Sequence, residues 1–327
     1  MMMLKTKKKI CLVLGIFSIF ALLPIFNSAA LCAEYPEKTI ECAIPWNPGS
    51  ASDMGIRILC KFAEKELGKP IAPINMVGAN GAIAWSHIHK AKPDGYTIAL
   101  VTFDILTNQI LGSEVTYDSL YYVGQFTHQP MGLYVHKDSP YKTVQDFVEG
   151  AKSKPGAIKV ATTSLGGLLH QAGFLLEKKY GIKLNFVPFK GSGEVLTQTL
   201  GKHVDASVNT ITKPAPHVEV GTLRMLMTFS DKRLSDFPDV PNIKELGISD
   251  VGFESWRAVV APKGVPQPIK DRLKSAFKKA YNNPEYQKLA KKSKFDLLYR
   301  EHDEILNFLS KQYPMVELNL KEMGYAK

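Results

Sequence analysis

The stretch KTIECAIPWNPGSASDMGIRILCKFAEKELGKPIAPINMV, residues 38–77, decides the fold. KTIECAIPW (38–46) predicts a strand, 51–67 a helix closed by Gly68, and IAPINMV (71–77) a second strand. The alternation continues with a helix at 80–91 and the strand YTIALVT (96–102). A second set follows: helix 143–153, strand IKVATT (158–163), helix 168–179 before Gly181, strand LNFVPF (184–189), helix 192–200 and strand ASVNT (206–210). Strands and helices in alternation predict an α/β fold of mostly parallel sheets flanked by helices, and two such sets laid end to end predict two lobes. MGLYVHKDS (131–139) reads as an extended connection and FESWRAVVAP (253–262) as a β-rich return. Helices are expected at 266–281, 284–292 and 302–322, with Pro314 breaking or kinking the last. The expected division is a leader at 1–33, one lobe from 34–132 plus 256–327, and a second lobe from 133–255, joined by two hinge crossings.

The totals agree with that division. A chain of 327 residues with 45% hydrophobic and 22% charged residues is long enough for two globular domains and carries no compositional sign of disorder. KTKKK (5–9) followed by the apolar ICLVLGIFSIFALLPIF (10–26) and the small residues of NSAALCA predicts an export signal, cleaved after Ala30 or Ala33. An uncleaved anchor or a lipid on Cys32 are the other readings of the same segment. Export leaves Cys42 and Cys60 as the certain mature cysteines; a bridge is conceivable, and two buried free thiols are the expectation. Lys5, Lys7, Lys8 and Lys9 fall in the leader, so the excess of 41 basic over 31 acidic residues shrinks to +6 in the remainder. Without a clustered basic stripe, that excess suits anionic small molecules and gives no argument for nucleic acid.

In an open α/β sheet, ligands sit where strands run into helices. WNPGSASD (46–53) occupies such a loop: Gly49 lets a ligand approach the main chain, and Ser50, Ser52 and Asp53 offer oxygens beside unpaired helix N–H groups. An ordinary helix cap, with Asp53 paired to Arg57, explains the same residues. The arrangement recurs at Thr163, Ser164, Gly166 and Gly167, which suggests helix N-termini facing each other across a cleft. VGANGAIAW (77–85), with Asn80, supplies a third turn of this kind. Catalytic alternatives fare poorly. GKHVD (201–205) lacks the glycine of a phosphate-binding loop, and neither PGSAS nor KGSGE completes a nucleophile elbow. His87 and His89 diverge on a helix, so no metal or other cofactor is expected. His170, just inside a helix, reads as structural. Trp46, Phe103 and Trp256 could stack on a ligand or pack as core.

These segments together resemble the extracytoplasmic solute receptors of tripartite tricarboxylate transporters, the Bug-type receptors. The resemblance runs from YPEKTIECAIPWNPGSASDMGIRIL through VGANGAIAW, AKPDGYTIALVT, ATTSLGGLLHQAG and VPFKGSGEVLTQTLGKHVDA to FESWRAVVAPKGVPQPI. It implies a two-lobed periplasmic binding protein, not an enzyme and expected as a monomer, that closes on a small carboxylate and delivers it to a membrane permease. Carried over residue by residue, it points to Asn47, Gly49, Ser50, Ser52 and Asp53 on one side and Ser164, Gly166 and Gly167 on the other, with Thr102, Lys190 and Asn209 as further candidates at strand ends; Trp46, Asn80 and Thr163 join the ligand-binding set from the turns read above. The chain departs from the family at Gly49-Ser50, where two glycines are usual, and at Trp46-Asn47. Arg257 stands where many relatives carry a small residue. It could fork onto a second ligand carboxylate or form a salt bridge. An exported enzyme using Asp53 or His170 as acid or base, or a receptor feeding a sensor, are the rival readings.

Overall fold

The computed structural model describes residues 35–249, 252–293 and 295–326. The expected export signal lies outside them, and among the described residues no helix is long and apolar enough to cross a membrane. Strand β1 (Ile40–Ile44) is almost wholly buried, as expected of a strand covered on both faces. Helix α1 (Ala51–Leu67) starts where the Ser50 side chain accepts the Asp53 N–H, and stops at Gly68, whose φ of 74° is left-handed. Its buried stripe, Ile56, Leu59, Cys60, Ala63 and Leu67, follows helical spacing and faces the sheet. Strand β2 (Ile71–Asn75), a single 3-10 turn at Ala79–Gly81, helix α2 (Ala82–Lys90), strand β3 (Thr97–Thr102) and helix α3 (Asp104–Ile110) complete the first run.

Strand β4 (Leu120–Gln129) then belongs to this first sheet and β5 (Met131–His136) to a second, with only Pro130 between them. The second sheet adds α4 (Val144–Ser153), β6 (Lys159–Thr162), α5 (Leu168–Tyr180), β7 (Asn185–Pro188), α6 (Ser192–Leu200), β8 (Ala206–Thr210), α7 (Ala215–Glu219) and β9 (Leu223–Thr228). The chain returns through β10 (Ser255–Pro262), α8 (Gln267–Asn282), α9 (Pro284–Lys292), β11 (Asp296–Arg300) and α10 (His302–Glu322). The two sheets run β11-β4-β10-β3-β1-β2 and β7-β6-β8-β5-β9. This is the two-lobed α/β architecture the sequence predicts.

Three details differ from expectation. Among the strands described, parallel pairing joins β1 to β2 and β3, and β6 to β7 and β8; β10 and β5 are each paired antiparallel on both sides, so the sheets are mixed. Residues 131–136, read as a connection, form an internal strand of the second sheet, because the polypeptide changes sheets in one residue instead of nine. Helix α10 is unbroken at Pro314. Pro314 and Ser310, one turn earlier, both stand on its exposed side, so the carbonyl that loses its amide partner can turn to water. Cys42 and Cys60 are buried free thiols, and the hydrogen bond between them together with burial pushes the Cys60 thiol well up.

Candidate functional site

The loops at the carboxyl ends of the strands line a cleft of about 500 Å³ that draws residues from both sheets. Its first wall is the 45–52 loop. Gly49 has φ of 73°, which a residue with a Cβ adopts only under strain. The loop is shaped from behind by Asp53, whose carboxylate accepts the Gly49 N–H at 2.9 Å, Arg57 Nε at 2.8 Å and Asn75 Nδ2 at 2.8 Å. Asn75 Nδ2 also donates to the Trp46 carbonyl at 2.8 Å, and Arg57 Nη2 to Asn75 Oδ1 at 2.7 Å. Burial alone would raise the Asp53 carboxyl, but the bonds from Asn75, Gly49 and Arg57 hold it below its ordinary value.

The second wall is the 77–81 turn. Gly78, Ala79, Asn80 and Gly81 all have positive φ, so Ala79 and Asn80 are held in a conformation that disfavours side chains. Asn108 Nδ2 restrains the turn through the Asn80 carbonyl at 3.1 Å, and Asn80 Nδ2 donates to Asp104 Oδ1 at 3.0 Å. Asp104 opens α3 just past β3 and is 7% exposed. Burial pushes its carboxyl up to about 6, although Asn80, Thr102 and the Leu168 backbone N–H, which belongs to the other sheet's helix α5, pull it back. Thr102 Oγ1 lies 3.3 Å from Asp104 Oδ2.

From the second sheet come the start of α5 and the start of α6. Neither helix has a side-chain cap; their N-cap residues are Gly167 and Gly191. Thr163 and Ser164 line the cleft, with Lys190, Ser192 and Lys213 beside α6. Asn47 Nδ2 reaches the Lys190 carbonyl at 3.4 Å, a bond that spans the cleft. On the floor, Arg257 of β10 lies across from Thr102 of β3 and is 6% exposed. Its Nε donates to Ser52 Oγ at 2.9 Å, and burial pushes the guanidinium down to about 9, so it stays cationic at neutral pH.

Of the sequence-predicted residues, the cleft lining gathers Trp46, Asn47, Gly49, Ser50, Ser52, Asn80, Thr102, Thr163, Ser164, Lys190 and Arg257. Asp53, Gly166, Gly167 and Asn209 stand behind that surface. The Asp53–Arg57 pair of an ordinary cap is present. Gly166 N–H donates to His170 Nδ1 at 2.8 Å. Gly167 has no Cβ where one would fall 2.2 Å from Ser164 Oγ. Asn209 Nδ2 holds the Ser192 carbonyl at 2.9 Å. His170, lowered to about 4 by burial and accepting the Gly166 amide, is neutral and structural. Phe103 and Trp256 are core, whereas Trp46 lines the cleft. Sequence reading missed Asp104 and Lys213. Asp104 follows Thr102 at the end of β3, so the strand-end rule that selected Thr102 could have reached it; Lys213 carries no local signal. No cluster of side chains able to hold a metal occurs among the described residues.

Comparison with known proteins follows from this geometry. Residues 56–324 match the family model described as "Tripartite tricarboxylate transporter family receptor". A protein of Cupriavidus necator, called the UPF0065 protein in the gbd 5' region, is 33% identical over 90% of each chain. The crystal structure of a TctC solute binding protein from Polaromonas superposes with a TM-score of 0.73 at 26% identity, covering 88% of this chain and 99% of that one. The periplasmic binding protein BugD gives 0.80 at 26% identity, covering 90% and 100%.

Proposed function

The chain belongs to the tripartite tricarboxylate transporter receptor family, and we propose that it is the receptor that captures a small carboxylate outside the cytoplasm and hands it to the permease subunits of such a transporter. Its relatives of the same fold are solute-binding receptors, not enzymes. On this reading residues 1–33 are removed on export, 34–132 plus 256–327 form one lobe, and 133–255 form the other, working as a monomer. Closure about the crossings at Pro130 and before Ser255 brings the lobes onto the solute, and the closed surface is what the permease engages.

One observation carries the carboxylate reading. The cleft is lined from both sheets by strand-to-helix turns, two of whose helices lack side-chain caps, and it holds Arg257 and Lys213 without an ion-pair partner among the described residues. Such a surface replaces the hydration of an anion with fixed N–H groups and charge. The two acids that line it are already engaged: Asp104 with Asn80 and Thr102, and Glu194 with the Lys190 N–H at 2.9 Å. Asp53 and His170, the candidates for acid–base chemistry, are both tied into scaffold contacts, which weighs against turnover.

The test is a thermal-shift screen with small carboxylates, followed by mass spectrometry of the recovered solute. A receptor returns its solute unchanged and is stabilised by about 2.7 kcal/mol at a hundredfold excess over Kd. Failure of every carboxylate to shift the transition, or chemical conversion of one, overturns the proposal.

A further inference from the structure

The geometry points to Arg257 as the residue that sets ligand charge: its guanidinium pairs directly with a carboxylate of the solute, so the cleft selects a dianionic ligand over one of the same shape with a single charge. The inference rests on the receptor reading above and adds a specificity to it. Arg257 is nine-tenths buried and lines the cleft, yet no carboxylate lies within ion-pair distance of it among the described residues. Of its guanidinium nitrogens, Nε is fixed by Ser52 Oγ at 2.9 Å, while Nη1 is buried with no hydrogen-bond partner. The ring of Phe295, with its centroid 5.6 Å from Cζ, backs the group without neutralising it.

An unpaired guanidinium in a protein interior is unfavourable unless an anion completes it. Ser52 holds Nε, and no protein acceptor among the described residues takes the terminal nitrogens; Nη1 is sealed from solvent as the side chain stands, so a carboxylate, whose two oxygens match the fork, completes the group as the guanidinium turns toward the cleft. Ser52 also stands in the first turn of α1, where free N–H groups favour negative charge. The second charge of the solute has its own place on the facing wall. There Lys213 Nζ lies over the start of α6, within 2.9 Å of where a Cβ on Gly193 would be, and α6 begins without a side-chain cap. Two cationic corners on opposite lobes define a ligand with an anionic group at each end.

Arg257 also borders an internal void of about 10 Å³ beneath α1, room for about one water. A hydrated, purely structural arginine is therefore the competing account, and the experiment separates the two. The probes are linear dicarboxylates of three to six carbons and their monoamides, titrated calorimetrically into the full chain and into Arg257→Met. The wild-type protein should prefer a diacid over its monoamide on the order of 100-fold. In Arg257→Met that preference should vanish because diacid affinity falls much further than monoamide affinity, while the ligand-free melting temperature stays level or rises. Arg257→Lys keeps the charge without the fork; it should retain a preference for the diacid at reduced affinity, and it serves if the methionine variant does not fold. Equal affinity of the wild-type protein for diacid and monoamide overturns the inference and leaves the receptor reading standing. So does a methionine variant that melts lower and binds diacids unchanged. Failure of the wild-type protein to bind any carboxylate overturns the receptor reading itself.

Discussion

Replacing Asp53 with alanine should weaken ligand binding without removing any atom that faces the cleft. The Asp53 side chain is 5% exposed and its carboxylate accepts three hydrogen bonds, from Gly49, Arg57 and Asn75. Bonds to charged groups contribute about 1.5–3 kcal/mol each, but two of these donors regain water when released: Gly49 is exposed and the Arg57 side chain is 40% exposed. Discounting them leaves a net loss of about 2–4 kcal/mol, carried mainly by Asn75 and by the loop that Asn75 anchors through the Trp46 carbonyl. For a chain of this size that lowers Tm by roughly 3–8 °C. Calorimetric melting of the ligand-free protein gives the stability change, and titration with the solute found by screening gives the affinity. Asp53→Asn, which still offers an acceptor to Gly49, should recover about half of both. The sign of the acid response follows from the depressed carboxyl: its contribution is present above the unfolded value near 3.8 and disappears as pH falls through the lower folded value. A melting temperature of Asp53→Ala within 2 °C of the parent (about 1 kcal/mol or less) would refute this account of the loop.

Two further substitutions test the cleft from its other sides. Asp104 has a folded value near 6 against 3.8 unfolded, so folding takes up a proton and stability falls by about 3 kcal/mol as pH rises from 4 to 6. His170, near 4 folded against 6.5 unfolded, produces an opposite rise of about 3 kcal/mol over nearly the same range. These two contributions nearly cancel, so relative to the wild-type protein Asp104→Asn should gain stability from about pH 4 to 6 in urea titrations; a difference between the two that does not change with pH contradicts the assignment. Gly167→Ala has an acceptable φ of −77°, but the new Cβ displaces Ser164 Oγ. It should cost about 1 kcal/mol of ligand affinity, roughly fivefold, while Tm moves by less than about 3 °C; equal affinity would show that the Ser164 hydroxyl takes no part.

How far the sequence discloses this molecule depends on where the information sits. The 51–67 helix and its cap are written locally, in Ser50, the Ile56–Leu67 stripe and Gly68, and they emerge at the predicted bounds. Strand β4 is not legible in the same way, because Gln125, Thr127 and Gln129 are polar yet buried, and hydropathy cannot tell them from surface residues. Strand β5 looks like a linker because its partners β8 and β9 lie about seventy to ninety residues downstream. The same division holds at the cleft. The 46–53 and 163–167 turns stand out through glycine and hydroxyl content at strand ends. The pairing of Asp53 with Arg57 is visible at helical spacing, but its tie to Asn75 crosses 22 residues. Asp104 stands within reach of the strand-end rule that selected Thr102, whereas Lys213 enters the lining only because tertiary packing brings distant chain segments together.

Pro130 and the strand order have a consequence for biogenesis. The second sheet is built from one uninterrupted span, Met131 to Thr228, whereas the first must wait for β10 and β11, the middle and edge strands that the ribosome delivers last. An emerging polypeptide thus cannot finish its first sheet until nearly all of it has been synthesised, whereas the second sheet is complete at Thr228, well before β11 ends at Arg300. Pulse-labelling by hydrogen exchange during refolding should find β5, β6, β8 and β9 protected before β1, β3 and β4; the reverse order would show that the N-terminal strands assemble without their closing partner.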